Sequence, residues 1–409
     1  MEKNVITGQQ IGLLGGPLYT TYKVLGAIKY AKEINGTHIY WMENNDADFE
    51  EINHIDYIDA DNTLQTLTWD IDSQGYSCGL IAIDDSLVDL LRHFFETLRQ
   101  TEFTPALKSL VLRCYVPGRT LGTASCLLAS ELFGHFGLEL FDPSTKIFKA
   151  FIKKFLLREA ARTPTGEQCN LFCMIGKKRI AVFRDEEGYS LRDGTRVNLE
   201  EYDLVPNVKT RPVCQDAFFD THTYIAGPGE MQYIKELDPI YEFHGIRKAN
   251  IIPRMSLTLL EPRAVRFMRK YDVALQDVLE LEKSHLLKKV LKERSGFDEK
   301  HLRQQADQLT TEYVQALQAV GIELGKAEKD LRQAIKEEIG KQRAQEKAEM
   351  EKTLNAVGNL SDLLMPFGKK QERVFNLFYY MNLYGGLAFV DWLYERYDPS
   401  LETLEVEHA

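Results

Sequence analysis

Glu43, Asp46, Asp48, Glu50, Glu51 and His54 fall together directly after an apolar run, Thr37–Met42, that reads as a β-strand. Loops at strand ends are where α/β sheets carry their ligands. Carboxylates there can hold Mg²⁺ with nucleotide phosphates, position a substrate ammonium, or act as general base. No glycine follows at the sixth position from Asp46, so the calcium-loop pattern fails. The competing reading is a helix start whose acids suit the helix dipole. A second cluster opens the chain, Thr7-Gly8-Gln9-Gln10-Ile11-Gly12-Leu13-Leu14-Gly15-Gly16-Pro17-Leu18-Tyr19. It joins a strand at Asn4–Thr7 to a helix from about Tyr19 to Glu33, with Tyr22, Leu25, Ile28 and Ala31 on its apolar face. Glycines allow close approach of a phosphate, and Lys23, one turn into the helix, is in reach of the same anion. The segment is neither G-x-G-x-x-G nor a P-loop, so a glycine turn required only for packing is its alternative.

Gly227-Pro228-Gly229-Glu230 repeats that logic after a strand at Thr223–Ala226. Its amides suit a phosphate or carboxylate, with Glu230 recognising an amine or hydroxyl; a plain tight turn is the other reading. Arg211 and Arg254 each adjoin a proline, a setting that suits bidentate contacts to carboxylate or phosphate, or an internal ion pair. His222 and His244 lack metal-ligand spacing and read as hydrogen-bonded structural histidines. The six cysteines (78, 114, 126, 169, 173 and 214) are scattered, which fits reduced thiols better than a disulfide framework. No metal site is expected. No G-x-S-x-G elbow is present, which disfavours hydrolase chemistry.

The elements that must position these groups alternate strand and helix at the start, implying a βαβ unit with parallel strands. Residues 86–136 read as helix-rich, broken at Val116-Pro117-Gly118, followed by a strand at Leu138–Phe141 and a helix over 147–162. Between 168 and 200, short strands separated by Gly176, Gly188 and Gly194 suggest a small antiparallel insertion. The GPGE turn is expected to start a helix that reaches about Phe243. In the final third, Leu302, Ala306, Leu309, Tyr313, Ala316 and Val320 recur at alternating spacings of four and three, an a/d seam. A charged helix from about Lys326 to Leu354 completes an antiparallel hairpin, and an aromatic-rich helix, Val374–Tyr384, closes the chain. The expected fold is α/β, a doubly wound parallel Rossmann-like sheet with a small β insertion and a C-terminal antiparallel helical coiled coil. Its expected divisions are a core at 1–265, a helical arm at 266–360, and a closing segment at 361–409 that packs back on the core.

At 409 residues, 44% hydrophobic and 27% charged, the chain has the composition of an ordinary globular protein of two or three domains. A net charge of −11 argues against a nucleic-acid or anionic-membrane surface. Neither a signal-peptide pattern nor an apolar stretch approaching the roughly 20 residues of a membrane span is visible. A cytoplasmic protein is expected.

The string TGQQIGLLGGPLYTTYKVLGAI resembles the signature of the bacillithiol biosynthesis cysteine-adding enzymes, also called cysteine ligases. Further blocks agree in the same order. They are Tyr40–Asn53, Lys209-Thr210-Arg211-Pro212, Tyr224–Glu230, Pro253-Arg254-Met255-Ser256, and Gln371–Asn376 with the run to Gly385. Together they span nearly the whole chain. The family usually carries a helical extension ahead of the TGQQ motif, which here begins six residues after Met1, and commonly has histidine where this chain has Ala47.

The resemblance implies a core like that of class I aminoacyl-tRNA synthetases and nucleotidyltransferases, although the HIGH and KMSKS signatures of that class are absent. It also implies a ligase joining the carboxylate of cysteine to the amine of glucosaminyl-malate, and a dimer formed through the coiled coil. A carboxylate must be activated before an amine can displace its oxygen, so ATP with Mg²⁺ is the chemical expectation. In that scheme Gln9, Gln10, Gly15, Gly16, Tyr19, Gly227, Gly229 and Glu230 bind the nucleotide, or in part the reacting carboxylate. Lys23, Asp46, Asp48 and Asn53 serve the chemistry, and Glu43, Asn44, His54, Arg211 and Arg254 bind substrate. Two alternatives remain. One is a non-catalytic nucleotide-binding relative that uses its coiled coil as a docking arm. The other is a ligase for a different amino acid and amine.

Overall fold

The computed structural model describes residues 3–294 and 299–407, so residues 295–298 of the expected arm lie outside the described residues. The first strand, β1 (Asn4–Gln10), does not stop at Thr7. It continues through Gly8-Gln9-Gln10 because it pairs in parallel with β2 (Thr37–Glu43) along its full length, from Asn4↔Thr37 to Gln10↔Glu43. The crossover between them is α1 (Leu18–Glu33), whose Leu18, Tyr22, Val24, Leu25, Ala27 and Ile28 are fully buried. A Cβ on Gly36 would stand 2.2 Å from the Lys3 carbonyl, so only glycine fits the turn into β2.

A two-stranded antiparallel hairpin, β3 (His54–Ile58) and β4 (Leu64–Thr68), follows in a stretch for which the sequence carried no expectation. The helix-rich stretch forms α2 (Asp85–Thr97), α3 (Thr104–Cys114) and α4 (Leu121–Phe133). Asp84 and Thr120 cap the first and last of these by accepting from the Leu87 and Thr123 amides. Next come β5 (Glu139–Phe141) and α5 (Lys146–Ala161), which seats Phe148 edge-on against Trp41 with ring centroids 5.1 Å apart. The antiparallel insertion has four strands, β6 (Gln168–Ile175), β7 (Lys178–Asp185), β8 (Gly188–Leu191) and β9 (Asp203–Pro206), in the order β8-β7-β6-β9.

The chain re-enters the main sheet through α6 (Arg211–Phe219) and β10 (Thr223–Ala226). The expected single helix after the GPGE turn is two, α7 (Pro228–Lys235) and α8 (Asp238–His244), the second beginning at Asp238-Pro239 where proline disfavours helix continuation. Strands β11 (Asn250–Pro253) and β12 (Thr258–Leu260) follow. The main sheet runs β11-β10-β1-β2-β5 with every pair parallel. The chain therefore leaves β1 toward β2 on one side and returns to β10 on the other. That reversal is the switch point at which doubly wound sheets open a crevice.

Two compact units result. One joins the chain up to Leu260 with Lys369 onward; the other is Glu261–Gly368. The second is all helical: α9 (Pro262–Tyr271), α10 (Leu275–Glu280), α11 (Lys283–Arg294), α12 (Glu299–Ala319) and α13 (Lys326–Leu364). The charged helix thus extends ten residues past the expected end at Leu354. Arg332 of α13 ties it to α12 by donating to Asp307 (3.2 Å) and Thr311 (3.2 Å). On α12 the buried residues are Thr310 and Val314, whereas Leu302, Leu309, Tyr313 and Val320 of the a/d stripe are exposed. The hairpin does not use that stripe. From Lys369, rather than from 361, the closing segment belongs to the first unit, and it forms α14 (Leu377–Tyr384), α15 (Ala388–Glu395) and β13 (Thr403–Glu405), the last parallel to β12.

Candidate active site

A cavity of about 690 Å³ opens at the C-terminal ends of the central strands. Gly8, Gln9 and Gln10 reach it from β1, Glu43 from β2, Gly227, Gly229 and Glu230 from the β10–α7 turn, and Arg254 from just past β11. Tyr19 and Lys23 of α1 and Arg211 of α6 complete the floor. Of the residues singled out from sequence, these, Asp46 and Glu51 converge on one enclosure, across the switch point.

Lys23 lines the cavity, yet its ammonium is committed. It donates to the Gly8 carbonyl (2.5 Å), to Gln9 Oε1 (3.2 Å) and to Glu230 Oε2 (2.5 Å), which uses its three protons. Glu230 also accepts from Tyr224 Oη (2.7 Å) and from the Gly227 amide at the N-cap of α7 (2.8 Å). Burial raises the Glu230 carboxyl, but Lys23 and Arg211 outweigh it and hold the group below the usual carboxylate range. This cluster ties α1 to α7 across β1 and β10. Arg254 is committed as well. Its guanidinium meets Glu372 in a buried bidentate pair (2.8 and 2.9 Å), the internal-pair reading. Arg211 keeps more freedom: it donates to Tyr233 Oη (3.1 Å) and lies 3.9 Å from Glu230. A Cβ on Gly8 would sit 3.4 Å from Arg211 Nη1 and 3.3 Å from Tyr224 Oη, so a larger residue there would press on both side chains.

Six candidates do not line the cavity. Gly15 and Gly16 belong to a turn whose amides are consumed, Gly15 donating to Gly12 O and Gly16 to Leu13 O, while the Leu14 amide donates to Tyr115 Oη. A Cβ on Gly12 would be 2.8 Å from Gly16 Cα. In this motif the packing role of glycine prevails over a phosphate cradle. Asn44 is buried where Gly79 and Gly122 close on it. Asp48 is exposed and its amide donates to Asp46. Asn53 donates to the Trp69 carbonyl (3.2 Å), and His54 opens β3 beside Asp56.

Sequence reasoning passed over Trp41, Gln168, Phe172, Arg179, Asn207, Tyr233 and Arg373, all of which line the cavity. Gln168, Phe172 and Arg179 come from the antiparallel insertion, which therefore forms a wall of the site. Arg179 pairs with Asp46, which also accepts from Gln10. The local signal was the basic end of the strand at Arg179; what hid its role was a sequence separation of 133 residues from Asp46. Among the described residues no group of three or more His, Cys, Asp or Glu side chains is arranged to hold a metal, and no helix is long and apolar enough to cross a membrane.

The model of the bacillithiol biosynthesis BshC N-terminal Rossmann-like domain matches residues 2–168 and 162–255. The BshC C-terminal coiled-coil domain model matches 257–406. A protein named "Putative cysteine ligase BshC" from Chlorobaculum tepidum is 27% identical, covering 93% of this chain and 78% of its own length. One of the same name from Bacillus cereus is 28% identical, covering 96% and 82%. A solved arginyl-tRNA synthetase-like structure from Campylobacter jejuni aligns over 91% of this chain and 94% of its own at 10% identity, with a TM-score of 0.28 that carries no weight. Matched from end to end in the order core then coiled coil, this chain belongs to the BshC family of bacillithiol biosynthesis, a family of ligases.

Proposed function

We propose that this protein is a cytoplasmic ligase that joins the carboxylate of cysteine to the amine of glucosaminyl-malate, after ATP-dependent activation of that carboxylate as an acyl-phosphate or acyl-adenylate. The observation that carries the reading is the composition of the one enclosure at the switch point. Guanidinium groups of Arg211 and Arg373 suit phosphate and malate oxygens, while Glu43 suits an amine. The first turn of α7 adds amides without intrahelical partners at the same wall. These donors fit a phosphate chain. The carboxylates do not form a metal cage of their own, so Mg²⁺ would be brought by the phosphates, its usual mode of binding. Bound there, the nucleotide would supply the leaving group. This chain's residues bind and orient the two substrates and exclude water between them. We also assign the exposed α12 stripe to a homodimer.

The test is mass-resolved product formation by purified protein with ATP, Mg²⁺, cysteine and glucosaminyl-malate. Bacillithiol is the expected product, and AMP or ADP in the same sample identifies the activated species. Absence of bacillithiol, with other amino acids or amines consumed instead, overturns the substrate assignment.

A further inference from the structure

Amide formation needs a group that takes a proton from the attacking nitrogen, and four carboxylates line the cavity: Glu43, Asp46, Glu51 and Glu230. Two are spoken for. Asp46 accepts from Arg179, Gln10 and the amides of Ala47 and Asp48. Glu230 accepts from Lys23, Tyr224 and the Gly227 amide. Glu51 is exposed at the rim, where water competes for it.

Glu43 differs from all three. It is the last residue of β2, paired with Gln10 at the end of β1, on a rigid strand at the mouth of the crevice. Its Oε2 accepts from the indole Nε1 of Trp41 (2.9 Å) and its Oε1 from the Asn45 amide (3.2 Å). Two neutral donors fix the carboxylate in one orientation and leave further lone pairs for the cavity. Arg211 on α6 and Asp46 in the following loop are the charged groups that act on it, with opposite signs. Burial pushes its carboxyl above the ordinary glutamate range, against the Trp41 hydrogen bond and Arg211. A base poised nearer neutrality is better matched to an amine than an ordinary carboxylate.

We propose that Glu43 is the catalytic base of the amide-forming step, an assignment that rests on the ligase reading above. The nitrogen lone pair forms the C–N bond to the activated acyl carbon. The bond from that carbon to the phosphate oxygen breaks, its electron pair leaving with the phosphate. The surplus proton on nitrogen passes to the Glu43 carboxylate.

The test compares wild type with Glu43→Gln, using glucosaminyl-malate and, separately, hydroxylamine, a nucleophile already unprotonated at neutral pH. Wild type is expected to form both the amide and the cysteine hydroxamate. Glu43→Gln is expected to lose amide formation by about 10²–10⁴-fold while retaining hydroxamate formation. Its residual amide rate should climb with pH where the wild-type rate levels off. Its Tm should be unchanged or raised, because a buried carboxyl is replaced by a neutral isostere. Equal loss of both products would make Glu43 a residue of activation or folding and overturn the assignment. So would full amide activity in the variant. Failure of the wild type to form either product instead overturns the ligase reading, an outcome distinct from both.

Discussion

Lys23 is 2% exposed in a site made to receive ligands, and what keeps an ammonium there is Glu230. Removing one member of a buried pair leaves the other charged and desolvated, at about 3–5 kcal/mol. Lys23→Ala is therefore expected to lower the urea midpoint substantially, besides any loss of activity, and a variant that melts like the wild type would show the pair to be dispensable. The pH dependence follows from the same contact. Glu230 is held below its ordinary value of about 4.3, so its contribution is complete above that pH and is lost as pH falls through the lower, folded value. Thermal scans in the acid range should show a shallower decline for Glu230→Gln than for wild type. The chemistry-bearing residue types here were legible from sequence; their commitments were not. Arg254 beside Pro253 read equally well as a carboxylate binder or an internal pair. The choice was made by Glu372, 118 residues away, which no local spacing announces.

Strands and helices whose apolar pattern is local were readable to within a residue or two: Thr223–Ala226 is β10 as expected, and α5 starts at Lys146 rather than 147. Boundaries set by a distant partner were not. Gly8-Gln9-Gln10 looked like the start of a loop because glycine and glutamine are poor strand formers, but pairing with β2 overrides that preference. The hairpin β6–β7 was recognisable, while its place as a wall of the cavity depended on the Arg179–Asp46 pair. α1 shows the same dependence at one position. Gly26 lies in its interior, where alanine would ordinarily add about 1 kcal/mol. A Cβ there would be 2.3 Å from Tyr397 Oη, and that hydroxyl also accepts from the Met255 amide at 3.0 Å. Overpacking typically costs about 1–3 kcal/mol, so Gly26→Ala should destabilise despite the better helix former. Chemical denaturation decides the sign, and a stabilised variant would mean that Tyr397 moves aside freely.

At the scale of the whole molecule, the cavity is built entirely from the unit that joins the chain up to Leu260 with Lys369 onward. Among the described residues, none of the helical unit, Glu261–Gly368, lines it, and the unit calls for another account. It presents Leu309 at 66% and Tyr313 at 57% exposure on α12, and Val320 at 71% just past its end, along the seam that the heptad spacing had picked out, while Thr310 and Val314 take the inward positions. A repeat of apolar residues at a/d spacing is costly to leave in water and is suited to a partner helix. A second copy of the same stripe would cover it by the self-complementary contact that two-fold dimers use. Light scattering at micromolar concentration is then expected to give twice the chain mass for wild type. Leu309→Glu combined with Tyr313→Glu should give the single-chain mass, with a Tm that no longer rises with protein concentration as the dimeric wild type's does. Product formation by that variant should persist, since no residue of the site is altered. A wild-type monomer would remove self-association as the reason for the stripe. A dimer that survives both charges would place the contact elsewhere on the molecule.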